Sequence, residues 1–140
     1  MKSEIGYPER CNLDGDRAKR DYLRKCLPQA ECVETPLGET PQFAREKVDM
    51  VYLGPMTEQA QEQVLEQLFP LKERLQELVE QDVVFLCTGN ALELFGEAIF
   101  KEDGSRIPCL GLFPLTPPPD MTPRHTGAVL GHIAHTPVTR

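Results

Sequence analysis

The sequence predicts an α/β fold built on a parallel β-sheet. Val83 to Cys87 is a run of five apolar residues, as in strands that are covered on both faces. Val48 to Leu53 is a second, mostly apolar run that ends at Gly54-Pro55. A segment with helical periodicity separates the two runs. Strands that alternate with helices at this spacing are typical of a parallel sheet.

The N-terminal part predicts one helix and one strand. The helix runs from the turn at 14–16, where an Asp can cap it, through about Leu27, and Pro28 ends it. Its apolar face holds Ala18, Tyr22, Leu23 and Cys26. Ala30 to Thr35 alternates as a strand with one wet face does, and Pro36 to Gln42 predicts a loop.

The middle of the chain predicts a long helix from Thr57 to Gln81. Pro70 lies inside it and should kink it or split it in two. Its polar side is rich in Glu and Gln, which indicates a solvated face. The strand at Val83 to Cys87 follows, and we expect it to be central and buried on both faces.

The next predicted helix, Ala91 to Ile99, begins directly after a tight turn. Asn90 is its expected N-cap, and Glu93 stands at the spacing of a capping box. Asp103-Gly104 predicts another turn. The remaining predictions are a short apolar segment, a rigid loop and a possible strand, at Ile107 to Leu112, Pro114 to Pro119 and Val129 to His135.

Composition indicates one soluble domain over residues 1–140 and excludes several classes of function. The 15 basic residues against 22 acidic ones give a net charge of -7, which argues against nucleic-acid binding. No apolar run suits a membrane span, and residues 1–9 lack the apolar core of a signal peptide, so we expect a cytoplasmic protein.

The cysteines and histidines indicate neither a disulfide framework nor a metal site. The five cysteines form no C-x-x-C pair, so we expect reduced thiols that pack as small apolar groups. The three histidines are scattered without other ligands at metal-binding spacing. We therefore expect no metal and no cofactor.

Candidate chemistry lies in the loops after Leu53 and Cys87, because ligands of parallel sheets bind at the carboxyl ends of the strands. The second loop has the form of a nucleophile elbow, a sharp strand-to-helix turn that needs small residues two positions before and after its apex. Gly89 satisfies that rule, since Cys87 and Ala91 flank it. An apex at Cys87 would place the bulky Phe85 in the crowded position.

The segment from Phe85 to Gly96, Phe-Leu-Cys-Thr-Gly-Asn-Ala-Leu-Glu-Leu-Phe-Gly, resembles the elbow of the CobB/CobQ-type class I glutamine amidotransferases. The likeness is strongest to the glutaminase subunits of lipid II isoglutaminyl synthases, which act in peptidoglycan synthesis. Other landmarks lie in the same order: Tyr7-Pro8-Glu9, Asn12 to Arg17, Val48 to Gly54, and Asp103-Gly104 with Ile107 to Leu112.

The resemblance implies a three-layer, flavodoxin-like or Rossmann-like sheet with helices on both faces, truncated at its C-terminus relative to the family. It also implies a Cys nucleophile that hydrolyses glutamine and passes ammonia to a Mur-ligase-like synthetase partner. Gly89 occupies the position of that nucleophile and has no side chain. The implied oxyanion donors are the amides of Asn90 and of the loop at Gly54, where Pro55 has no N–H.

Two further roles follow from the resemblance. Arg124 matches the basic residue that grips the substrate carboxylate, although an ordinary surface Arg fits equally well. His135, in Gly131-His132-Ile133-Ala134-His135, is a weak match to the catalytic His, which in the family lies farther from the elbow.

Three functional hypotheses remain open at this point. The favoured one is a degenerate domain that keeps the fold without hydrolysis and serves as a docking or ligand-binding module. The alternative is an active glutaminase subunit that uses Cys87 as nucleophile; otherwise Cys87 is a small buried thiol. A gene fragment is the third, and it predicts an unpaired sheet edge with low solubility or an oligomer.

Overall fold

The chain forms six strands and three α-helices in a computed structural model that describes residues 1–13, 17–101 and 103–117. The elements are, in order, β1 (Lys2–Gly6), α1 (Arg17–Cys26), β2 (Glu31–Thr35), β3 (Met50–Leu53), α2 (Glu58–Leu68), α3 (Lys72–Glu80), β4 (Val84–Cys87), β5 (Ala98–Phe100) and β6 (Arg106–Pro108). Three 3₁₀ helices join them, at Gln42–Ala44, Phe69–Leu71 and Gly89–Phe95.

The first four strands form one parallel sheet in the order β2-β1-β3-β4. The order confirms the predicted α/β class and is that of a doubly wound, flavodoxin-like sheet. From β1 the chain forms β2 on one side, and it then crosses back to form β3 on the other side of β1. The topological switch point therefore lies between the carboxyl ends of β1 and β3. β5 and β6 form a separate antiparallel hairpin.

Helices cover the two faces of the sheet. Side chains alternate along β3, so Met50 and Tyr52 face one side while Val51 and Leu53 face the other. Leu23 of α1 packs with the first pair, and the buried apolar residues of α2 and α3 form the main core with the second pair. The three layers are therefore α1, the sheet, and α2 with α3.

Pro70 divides the long predicted helix as expected. α2 ends at Leu68, the 3₁₀ turn Phe69–Leu71 carries the proline, and α3 begins at Lys72. The break follows from proline, which lacks an N–H and clashes with the preceding turn. The predicted first helix and the strand at Ala30 to Thr35 are also present, as α1 and β2.

β1 was not predicted, because only Ile5 among its residues is a large apolar side chain. Its Glu4 is 1% exposed, and its carboxylate accepts three hydrogen bonds that make burial tolerable. The donors are the hydroxyl of Thr35 at 2.6 Å, the amide of Gln42 at 2.7 Å and the amide of Phe43 at 2.8 Å. Glu4 thus ties β1 to β2 and to the 3₁₀ turn that precedes β3.

The prediction that Val83 to Cys87 forms a central strand with two buried faces is wrong. Within the described residues β4 is one of the two outer strands of the sheet and pairs only with β3. Phe85 and Cys87 pack on the core, but Val84 is 57% exposed and Leu86 37% exposed on the α1 side. An apolar run indicates that a strand can be buried, but it does not indicate how many neighbouring elements cover that strand.

The prediction of an α-helix from Ala91 to Ile99 is also wrong. A 3₁₀ helix ends at Phe95, Gly96 turns the backbone into an extended conformation, and β5 begins at Ala98. The carbonyl of Leu115 lies so close to Gly96 that an added Cβ would be 2.5 Å from it. Tertiary pairing therefore outweighs the local helical pattern in this segment.

The predicted turn at Asp103-Gly104 is present and closes the β5–β6 hairpin, with Gly104 at a φ of +80°. The apolar segment at Ile107 to Leu112 supplies the end of β6, while the predicted strand at Val129 to His135 lies outside the described residues. The five cysteines are thiols, and none of them forms a disulfide bond. In the described part of the chain, no helix has the length and apolar character of a membrane span.

Replacing Glu4 by Ala should destabilise the fold by roughly 3–5 kcal/mol, because two buried donors and one partly buried donor lose a charged acceptor. Urea denaturation followed by circular dichroism measures the change. Glu66→Ala removes an exposed carboxylate from α2 and is the matched control, with an expected change below about 0.5 kcal/mol. Equal effects of the two substitutions would contradict this role of Glu4.

Candidate functional site

Three loops meet at the carboxyl edge of the sheet, where ligands of this fold class bind. The amide of Met56, after β3, donates to Oδ1 of Asn90 at 3.0 Å, and Nδ2 of Asn90 donates to the carbonyl of Met56 at 2.8 Å. The amide of Leu13, in the loop after β1, donates to the carbonyl of Pro55 at 3.1 Å. The loops after β1, β3 and β4 are thereby fixed to one another.

The prediction that Asn90 is a helix N-cap is therefore wrong. Its carboxamide pairs with the peptide groups of Met56, and its own carbonyl accepts a hydrogen bond from Nε2 of Gln61 at 3.1 Å. The same Gln61 nitrogen donates to Oε2 of Glu93 at 3.0 Å, so Glu93 contacts α2 and closes no capping box. Gln61 is buried, in contrast to the solvated face expected of the helix glutamines.

Gly89 stands at the bend between β4 and the 3₁₀ helix. Its φ of +58° is in the left-handed region, which glycine adopts at little cost. A Cβ built on Gly89 would lie 2.8 Å from Cβ of Pro55, which is closer than carbon atoms pack. Both the backbone conformation and the neighbouring proline thus disfavour a side chain at the predicted nucleophile position.

Cys87 is the last residue of β4, two residues before the bend. Its side chain points to the same face as Phe85 and packs against the main core beneath α2. Burial raises the pKa of the Cys87 thiol to about 12. At neutral pH the group is almost entirely protonated, and a protonated thiol is a poor nucleophile.

The predicted oxyanion donors are also poorly provided. Pro55 has no N–H, and the amide of Met56 already donates to Asn90. The helix after the bend is a seven-residue 3₁₀ helix, and an elbow of the predicted type requires an α-helix at that position. Gly54 is buried at the end of β3 and lies in the loop where the sequence placed it.

A mostly apolar cleft of about 250 Å³ opens beside the bend. It lies between the 3₁₀ helix and the last described residues, and it is lined by Gly89, Leu92, Glu93, Leu115, Thr116 and Pro117. Glu93 is the only ionisable residue among the lining residues that the structure describes. The structure thus places the predicted Gly89 at a cleft, with no cysteine among the described lining residues.

A second groove, of about 230 Å³, lies at the topological switch point. Its lining residues come from the loop after β1 and the start of α2: Glu9, Arg10, Asn12, Leu13, Thr57 and Ala60. The adjoining Tyr7 is 1% exposed at a φ of +51°, and its hydroxyl has no hydrogen-bond partner among the described residues. Sequence reasoning named residues of this loop only as landmarks of the resemblance and proposed no site there, because it missed β1.

The remaining sequence-predicted site residues, Arg124 and His135, lie outside the described residues. Over the described ranges, no group of three or more His, Cys, Asp or Glu side chains is arranged to hold a metal ion. Comparison with protein-family models finds no match, and comparison with curated proteins finds none either.

Substituting Gly89 should destabilise the protein more than substituting another glycine with positive φ. Gly104→Ala imposes the left-handed conformation on a side chain in open space and should cost about 1 kcal/mol. Gly89→Ala adds the contact with Pro55 and should cost about 2–4 kcal/mol. Thermal and urea unfolding of both variants measure the difference, and equal losses would show that Pro55 yields freely.

Cys87 should resist alkylation while the protein is folded. Iodoacetamide at pH 8 should modify the exposed Cys26 at least about a hundredfold faster than Cys87, because Cys87 is both desolvated and protonated. Peptide mass mapping over a time course measures both rates, and the rates should converge in denaturant. Rapid modification of Cys87 in the native protein would contradict the burial described here.

Proposed function

We propose that this chain is a non-hydrolytic, glutamine amidotransferase-like domain that serves as a docking or ligand-binding module. The family part of the proposal rests on the colinear likeness around the segment from Phe85 to Gly96 and on the α/β fold. The non-hydrolytic part rests on Gly89, which has no side chain at the position of the family's nucleophile and lies against Pro55.

The alternative, a glutaminase that uses Cys87, has less support from the geometry. Attack on an amide needs a thiolate that reaches the substrate and a donor pair for the developing oxyanion. The Cys87 thiol packs on the core with a pKa of about 12, and the Met56 amide is engaged by Asn90. The thiol is therefore not activated, and Pro55 and Met56 supply no oxyanion donor.

A binding role is compatible with the same edge of the sheet. The cleft beside Gly89 is apolar with one carboxylate, Glu93, while the groove at the switch point carries Arg10 and Glu9 beside the N-terminus of α2. As the resemblance implies, the partner in this proposal is a Mur-ligase-like synthetase in the cytoplasm. The domain would dock on that enzyme without feeding it ammonia.

Incubation of the purified chain with glutamine tests the non-hydrolytic part of the proposal. A coupled glutamate assay should show no release above the buffer blank, and Cys87→Ala should give the same result. Mass spectrometry should detect no adduct with a thiol-directed glutamine analogue. Glutamate release that Cys87→Ala abolishes would replace this proposal by the alternative.

A second assay separates loss of catalysis from loss of family function. Co-purification with a Mur-ligase-like synthetase should give a stoichiometric complex, and glutamine-dependent amidation by that complex should be absent. Ammonia supplied directly should still support amidation, because only the ammonia source is missing. The lack of any complex would count against the docking role.

A further inference from the structure

The edge of the sheet formed by β4 is unprotected in the described part of the chain. β4 pairs with β3 from Val84 to Cys87, and its other side has no neighbouring strand there. Edge strands usually avoid further pairing through a charged residue, a proline or a bulge. The four residues of β4 are Val, Phe, Leu and Cys, and their pairing with β3 is unbroken.

The α1 side of β4 is also uncovered. α1 packs over β1 and β3 through Leu23, and it leaves Val84 57% exposed and Leu86 37% exposed. Between α1 and β4 lies an apolar groove of about 360 Å³ that includes Tyr22, itself 67% exposed, and Tyr52. A free strand edge and a continuous apolar groove therefore lie side by side.

We propose that a second copy of this chain covers this surface by antiparallel pairing of β4 with its own β4. A two-fold axis through Phe85 makes the contact self-complementary, since the same strand serves on both sides. Val84 then lies opposite Leu86 of the second copy, so the two exposed apolar residues meet on the α1 face. The two four-stranded sheets become one continuous sheet.

Charge at the two ends of β4 favours an antiparallel arrangement of two identical strands. Asp82 precedes the amino end, while Lys19 lines the groove together with Thr88 at the carboxyl end. In the proposed register Asp82 lies opposite Thr88 of the second copy and therefore close to Lys19 of that copy. A parallel arrangement of two copies would instead place like charges together, which disfavours it.

Phe85 provides a further contact on the opposite face. Its ring already meets Phe95 edge to face, with 5.7 Å between the ring centroids. The two-fold axis would bring two such pairs together across the junction, and aromatic cross-strand pairs stabilise antiparallel contacts. The proposal depends only on β4 and α1, so it stands or falls separately from the proposed function.

Sedimentation velocity of the full chain over a concentration series tests the contact. We expect a dimer, with Val84→Lys raising the dissociation constant by at least about tenfold because it places a charge at the strand junction. Phe69→Lys alters an apolar side chain that is 41% exposed at the α2–α3 junction, away from β4, and should leave the constant unchanged. Circular dichroism and thermal melts should show that both variants fold.

Two results would overturn the proposal. One is a dimer that Val84→Lys leaves unaffected, which would place the interface elsewhere. The other is a monomer up to about 200 µM, far above micromolar dissociation constants. Hydrogen exchange would then assign the occupant. The amide of Val84 already donates to Asp49 on the β3 side, so the amides of Phe85 and Cys87 point away from β3, and their protection in a monomer indicates another segment of the same chain.

A charge experiment tests the antiparallel register itself. Lys19→Glu should raise the dissociation constant about three- to tenfold, because it faces Asp82 of the second copy. Adding Asp82→Asn should recover part of that loss, and Asn tolerates the φ of +59° at this position. Both effects should shrink in high salt. Losses that simply add in the double variant would rule out this register.

Discussion

The paired hydrogen bonds between Asn90 and Met56 determine the architecture of the candidate site. The side-chain amide of Asn90 bonds to the peptide N–H and the carbonyl of Met56 as a neighbouring strand would. Both backbone groups of Met56, which lies beyond the end of β3, are thereby satisfied. Because Asn90 is held there, Gly89 lies against Pro55 and the following residues continue as a 3₁₀ helix. Gln61 then joins this loop to α2.

Glu4 has the corresponding role inside the sheet. A carboxylate in the interior is tolerable only with several donors, and the donors come from β2 and from the turn before β3. Its burial therefore requires three separate parts of the chain to assemble together. The hydrogen bonds of Glu4 in the sheet and of Asn90 at its edge thus position the loops that form the candidate site.

Much of the fold follows from local pattern. Apolar runs located β3 and β4, periodicity located α1, and Pro70 divided α2 from α3. The apex rule placed a bend at Gly89, and the structure has glycine there with positive φ. The family, the function and the roles of Arg124 and His135 remain predictions. β1 escaped notice because Glu4 and Ser3 are buried polar residues that imitate a surface segment.

The sequence by itself determined the class of fold, the order of its main elements and the absence of a side chain at the bend, because these depend on residue type and spacing along the chain. Only the tertiary structure decided that β4 is an outer strand in the described sheet, that Asn90 pairs with Met56, and that residues 98–100 form a strand. Those outcomes depend on which distant groups form hydrogen bonds with each backbone and side-chain polar atom. The residues that neighbour such an atom in the sequence do not determine these partners.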